Sequence, residues 1–193
     1  MSPGKIILLN GASSSGKTTL LKALQALMDE PYLDAGIDKF IWMLPERYLN
    51  RPLWDEVLGL ATEAGAWGHR LVAGMHRAIA ALSENGNNVI ADHVLVDPRW
   101  VKELAEFLSD LPAYLVGIRC PLKVLEAREE KREDRTLGQA RAQHALVHAH
   151  GTYDLEVDTS RLSVQDCALK IKKLVEDGRP PMVLKRLRAR AAG

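Results

Sequence analysis

The sequence predicts an α/β fold built on a parallel β-sheet, and three observations carry that prediction. Strand and helix signals alternate along the chain. An apolar strand, Lys5 to Asn10, runs directly into a glycine-rich loop, and a stretch with apolar residues three and four apart follows it. The chain has 193 residues and is 47% hydrophobic, which suits one domain with a substantial core.

The elements follow in order. Lys5 to Asn10 is the first strand and Thr19 to Leu27 the first helix. A second strand covers Tyr32 to Ile37. Ala66 to Ser83 is a long helical pattern closed by Asn85-Gly86. Asn88 to Ala91 is a third strand. Pro98 to Leu108 is a helix with Asp97 as N-cap and Pro98 in the first turn. Ala113 to Arg119 is a fourth strand, ended by Pro121. Leu122 to Glu133 is a strongly charged helix, and Thr136 to His148 is a further helical stretch. Leu155 to Val157 is a short fifth strand, and Val164 to Val175 is a helix capped by Ser163. Five parallel strands with helices on both faces make a three-layer P-loop kinase core.

The loop between the first strand and helix reads Gly11-Ala12-Ser13-Ser14-Ser15-Gly16-Lys17-Thr18, which is G-x-x-x-x-G-K-T. Gly11 and Gly16 permit backbone geometry that a side chain would obstruct. The N–H groups of Ser13, Ser14, Ser15 and the residues through Thr19 then converge on phosphate oxygens at the positive end of the helix dipole. Lys17 supplies a point charge for the β- and γ-phosphates, and the Thr18 hydroxyl a ligand for Mg²⁺. The cofactors expected are therefore ATP and Mg²⁺.

Bulk composition excludes several classes. The formal net charge is +1, from 26 basic and 25 acidic residues, which is not the basic stripe of a nucleic-acid-binding surface. The apolar runs are short of a membrane span, and the first strand begins too early for a signal peptide. A cytoplasmic protein with reduced Cys120 and Cys167 is expected. Residues 179–193 carry Arg179, Lys185, Arg186, Arg188 and Arg190 without an acid, which reads as a solvated basic tail or a terminal helix.

Ligands of such sheets sit beyond the carboxyl ends of the strands. Asp38, after the second strand, could take the proton of a substrate hydroxyl, or cap a helix over Lys39 to Leu44. Asp92, after the third strand, reads as a carboxylate that holds Mg²⁺ directly or through water. Arg128, Arg132 and Arg135 lie in a run where either a closing lid or a solvated, ion-paired helix fits. The pattern favours the solvated reading for Arg128 and the lid for Arg135. His144, His148 and His150 invite a metal reading, since the i,i+4 pair His144 and His148 shares a helix face, but no strong further ligand is evident. Trp42, Met43, Leu44, Tyr48, Trp54 and Trp67 could line an apolar substrate pocket or pack in the core.

These motifs together resemble the chloramphenicol phosphotransferase family over roughly Lys5 to Val175. The matching segments are the GASSSGKT loop, Gly36-Ile37-Asp38, Ile90-Ala91-Asp92, Val116 to Cys120, Arg128 to Arg135, Val147-His148 and Tyr153 to Thr159. The resemblance implies a shikimate-kinase-like fold with a kinase domain over residues 1–178 and a lid at about 128–140. It implies ATP-dependent phosphorylation of a hydroxyl on a small molecule with an apolar part. It also implies Asp38 as general base, Lys17 as phosphate lysine, Asp92 as active-site carboxylate and Arg135, with Arg132 beside it, as lid arginine. Asp158 and Thr159 would border the adenine site. Lys39 to Trp67 departs from the family namesake, so the reaction class is more firmly implied than the acceptor. A P-loop kinase for a sugar, nucleotide-sugar or other metabolite, and a nucleotide-binding regulatory module, are the alternatives, and monomer and homo-oligomer remain open.

Overall fold

The computed structural model describes residues 2–46, 65–131 and 137–191, with the backbone alone for residues 65–67. Five strands, β1 (Ile6–Asn10), β2 (Tyr32–Asp34), β3 (Asn88–His93), β4 (Ala113–Arg119) and β5 (Leu155–Asp158), form one sheet in the order β2-β3-β1-β4-β5. Every pairing in it is parallel. A parallel sheet needs crossover helices, and these cover both faces.

Side chains of β1 alternate between the two cores. Ile6 and Leu8 face Val72, Met75, Ile79, Trp100, Leu104 and Leu108 of α3 (Gly65–Glu84) and α4 (Pro98–Leu108). Ile7 and Leu9 face Leu20, Leu21 and Leu24 of α1 (Lys17–Leu27) and Ile171 of α7 (Val164–Glu176). The central strands are buried on both sides, which explains their unbroken apolar runs. Asp97 caps α4 by accepting from the Arg99 backbone N–H, and Ser163 caps α7 by accepting from that of Asp166. Cys120 and Cys167 are free and buried, one in each core cluster.

Several boundaries differ from the sequence reading. β2 stops at Asp34, because Ala35 gives its N–H to Ile90 and the chain then turns into the short helix α2 (Ile37–Ile41). β3 continues to His93, so Asp92 stands in the last turn of pleat rather than in the following loop. The helix α5 (Leu122–Glu129) is shorter than expected, and α6 (Gln139–His144) begins after Gly138 at φ 95. Residues 179–191 take the second of the two forms expected of this basic segment, a terminal helix, α8 (Val183–Ala191). Val183 and Leu184 enter the core, and Asp154 accepts from the N–H groups of Met182 and Val183 at the start of α8. No helix among the described residues is long and apolar enough to cross a membrane.

Candidate active site

The register sets the site. Leu9 pairs with Asp92 and Asn10 with His93, so the loop leaving β1 rises beside the end of β3. Asp34 pairs with Ile90 on the other side of β3, which delivers Gly36, Ile37 and Asp38 to the same crevice. One cavity there is lined by Ser13, Lys17, Thr18, Asp38, Asp92 and Gln143, among others. Two readings of Asp38 were open, and its place narrows them: Gly36 is the N-cap of α2, and Asp38 lies in the first helical turn, on the cavity wall.

The loop has the conformation that phosphate binding requires. Ser14 has φ 62 and Gly16 φ 89, so left-handed residues alternate with ordinary ones and turn successive N–H groups toward one side. A non-glycine residue in this region is uncommon and is held by its surroundings. A Cβ on Gly11 would stand 2.8 Å from both the Ile118 carbonyl oxygen and Ser15 Oγ, so only glycine fits. α1 begins at Lys17 with no acidic residue in its first turn, leaving the positive dipole end uncompensated by its own side chains. The hydroxyls of Ser13, Ser14 and Ser15 are buried without a hydrogen-bond partner among the described residues. Lys17 Nζ donates to the Ala12 carbonyl at 2.7 Å.

Thr18 Oγ1 donates to Asp92 Oδ2 at 2.8 Å. Asp92 is only 6% exposed, and burial raises its pKa while Lys17 and the Thr18 hydroxyl pull it back down. Gly36 lets the carboxylate sit there, since a Cβ at that position would be 2.1 Å from Asp92 Oδ1. Behind Asp92 lies a buried histidine pair. The Val94 N–H donates to His93 Nδ1 at 2.7 Å, so His93 carries its proton on Nε2. That nitrogen meets His76 Nε2 at 2.9 Å, and His76 Nδ1 lies 3.5 Å from Glu103 Oε2. Burial lowers the His76 pKa to about 4 and that of His93 well below its ordinary value, so both are neutral at pH 7.

A second cavity adjoins the first and is lined by Ser14, Gly16, Thr19, Leu20, Arg128, Thr159, Val164 and Cys167. Thr159 Oγ1 donates to the Ser15 carbonyl at 2.8 Å, and Arg128 donates to the Thr159 carbonyl at 2.8 Å. Arg128 is therefore not the solvated helix residue that its charged neighbours suggest. Asp158 instead stabilises its own turn, accepting from the Ser160 N–H at 2.8 Å. His148 Nδ1 and the Tyr153 hydroxyl lie 2.5 Å apart, and Asn10 Nδ2 donates to that hydroxyl at 2.8 Å. Burial, with Arg119 nearby, lowers the His148 and His150 pKa values to about 3 and about 4. Among the described residues no cluster of three potential ligands could hold a metal ion.

Some expected residues fall elsewhere. Arg132, Arg135, Tyr48 and Trp54 lie outside the described residues, as does the Trp67 side chain. Trp42 and Met43 are 62% and 71% exposed, while Phe40 and Leu44 pack against the core. Sequence reasoning missed Gln143, whose Oε1 accepts from the Ser13 N–H at 2.7 Å. It also missed Glu129, a buried carboxylate that accepts from the Gly138 and Ala140 N–H groups at 2.8 Å each. Neither carries a local signal, because each acts on backbone brought close only by the fold.

The donor set fits Mg-ATP. The loop offers converging N–H groups, and Thr18 with Asp92 offers the oxygen ligands that Mg²⁺ takes.

Comparison with known proteins agrees with this architecture. Two Mycobacterium tuberculosis proteins, from strains CDC 1551 and H37Rv and provisionally named O-phosphotransferases, are each 36% identical to this chain over 203 residues, covering 98% of it and 90% of their own length. A sugar kinase from Janibacter sp. HTCC2649 superposes with a TM-score of 0.69 at 17% identity, covering 94% of this chain and 98% of its own. Shikimate kinase from Acinetobacter baumannii, solved with shikimate, gives 0.59 at 16% identity, covering 93% and 96%. At such identities the solved structures speak to the fold, which is that of the P-loop kinases. The model of the chloramphenicol phosphotransferase-like proteins matches residues 4–176, and the chain belongs to that family.

Proposed function

We propose that this protein transfers the γ-phosphoryl group of ATP to a hydroxyl of a small molecule that has an apolar part. One observation carries the reading: Asp38 and Asp92 share a single cavity with Lys17, Thr18 and the phosphate loop. A nucleotide switch has no use for a second carboxylate facing the phosphate end, whereas transfer to an alcohol needs a proton acceptor there.

The loop from Gly11 to Thr19 holds the triphosphate with its backbone N–H groups and aligns the γ-phosphorus. Asp38 accepts a hydrogen bond from the acceptor hydroxyl and orients it. The hydroxyl oxygen forms a bond to the γ-phosphorus, the bond from phosphorus to the β–γ bridging oxygen breaks, ADP leaves, and the hydroxyl proton passes to Asp38. Lys17 exchanges its bond to the Ala12 carbonyl for one to the phosphates and neutralises charge during transfer. Thr18 and Asp92 would hold Mg²⁺, which supplies further charge neutralisation when bound. Arg135, with Arg132, belongs to this reading through the family resemblance, as do Asp158 and Thr159 beside the adenine. Ile37 and Val94 supply the apolar wall beside Asp38. The family resemblance makes chloramphenicol the first acceptor to try, and a cytoplasmic location goes with this reading.

The test is ATP consumption by the full chain with Mg²⁺, with and without chloramphenicol and a panel of other alcohols, and mass spectrometry of the products. The reading predicts consumption that depends on an acceptor and yields its phosphate ester. ATP binding with turnover that no hydroxyl compound alters would sink it.

A further inference from the structure

We propose that Gln139 is a specificity-determining contact to the γ-phosphoryl group, the residue by which the site tells ATP from ADP. The inference rests on the phosphotransferase reading and adds a residue outside the loop motif, to which the family resemblance gives no role beyond its place in the lid segment.

Gln139 and Gln143 stand four residues apart on α6 and so occupy one helix face. Both line the cavity that holds Lys17, Asp38 and Asp92. They are 4% and 1% exposed, unusual for glutamine. Gln143 Oε1 is committed to the Ser13 N–H. The Gln139 carboxamide makes no hydrogen bond among the described residues, and its polar atoms are not among the fully buried ones but open onto the cavity. An amide that opens onto a cavity bonds to water there and exchanges it for a ligand oxygen at little cost.

Three features select the γ-phosphoryl oxygens as that ligand. Gln139 belongs to the cavity with Asp38, not to the neighbouring one with Arg128 and Thr159, so it faces the phosphate end of the nucleotide rather than the base. The other groups around it include Lys17 and the loop N–H groups, which gather anionic oxygens. Its Nε2 can donate to such an oxygen without adding charge. The side chain is also well anchored. Glu129, 3% exposed, accepts from the N–H groups of Gly138 and Ala140 on either side of it. Gln143 ties the same helix to Ser13. A residue held at both flanks is preorganised for a contact made only when the terminal phosphate is present.

The experiment is calorimetric titration of the full chain with Mg²⁺ and either AMPPNP or ADP, for wild type, Gln139→Leu and Gln139→Glu, with thermal unfolding as a folding control. A lost hydrogen bond to a charged group corresponds to about tenfold to a hundredfold in affinity. Gln139→Leu is expected to weaken AMPPNP by that factor and ADP by less than about twofold. Gln139→Glu, which keeps the shape and adds a negative charge, is expected to weaken AMPPNP further. Equal changes for the two nucleotides, or no change, in a folded variant would overturn the inference alone. Wild type that binds neither nucleotide would overturn the phosphotransferase reading, and the inference with it.

Discussion

Thr18 Oγ1 donates to Asp92 Oδ2 at 2.8 Å, joining the first turn of the helix after the phosphate loop to the end of the neighbouring strand. Burial makes the Asp92 carboxylate reluctant to ionise, and Lys17 and Thr18 counter that. Such a pair exchanges easily for a shared cation. Asp92→Asn keeps the shape and the acceptor oxygen for Thr18 but removes the charge. It should leave the melting temperature nearly unchanged and lower Mg²⁺-dependent turnover about 10- to 100-fold. The check is a Mg²⁺ titration of turnover, and equal Mg²⁺ dependence in the two proteins would remove Asp92 from the metal site.

Gly36→Ala tests the crowding beside that carboxylate. Gly36 has φ −63, so alanine meets no backbone strain, and the contacts at issue are Asp92 Oδ1, at 2.1 Å from the new Cβ, and the milder one with Asp34 Oδ1 at 3.3 Å. Overpacking of this kind costs about 1–3 kcal/mol, and Asp92 must move to relieve it. Thermal unfolding should show the loss, and turnover should fall with it.

Arg128→Leu separates the two cavities. Arg128 holds the Thr159 carbonyl at the wall of the cavity remote from Asp38. ATP and ADP should weaken together, by about tenfold for a charge-assisted bond, unlike the selective loss expected at Gln139. Calorimetry with both nucleotides distinguishes the cases.

Stability should fall as the medium becomes acidic. His76 has a folded pKa of about 4, below the unfolded value, so the unfolded chain binds more protons between them. Its contribution is complete above about pH 6.5 and is lost as pH falls toward the folded pKa. His76 alone should remove about 1 kcal/mol between pH 6.5 and 5.5. His148 and His150, lowered by partial burial, act in the same direction with smaller effect. Denaturant unfolding at the two pH values checks this, with His76→Asn expected to flatten the dependence.

The parts of this molecule that sequence reveals are those with local causes. The phosphate loop is legible because Gly11, Gly16, Lys17 and Thr18 each answer a backbone or phosphate requirement within eight residues. The parallel sheet is legible because strands buried on both faces read as apolar runs, and Asp97 and Ser163 announce the helices they cap. Gly36, Arg128, Glu129 and Gln143 are legible only in the fold. Their partners lie far along the chain or on backbone, and a charged run such as that around Arg128 looks solvated until Thr159 is brought beside it. The docking of α8 was hidden for the same reason: its arginines dominate the composition, while Val183 and Leu184 decide its place.

The account's central claim is that Asp38 takes the proton of an alcohol as the phosphoryl group moves. The most direct measurement is single-turnover transfer of a labelled γ-phosphoryl group from ATP to an accepted alcohol by wild type and Asp38→Asn, with the affinity for ATP measured on both. The account predicts a fall in transfer of about 10²- to 10⁴-fold with ATP affinity nearly intact. Transfer at the wild-type rate by Asp38→Asn would contradict it.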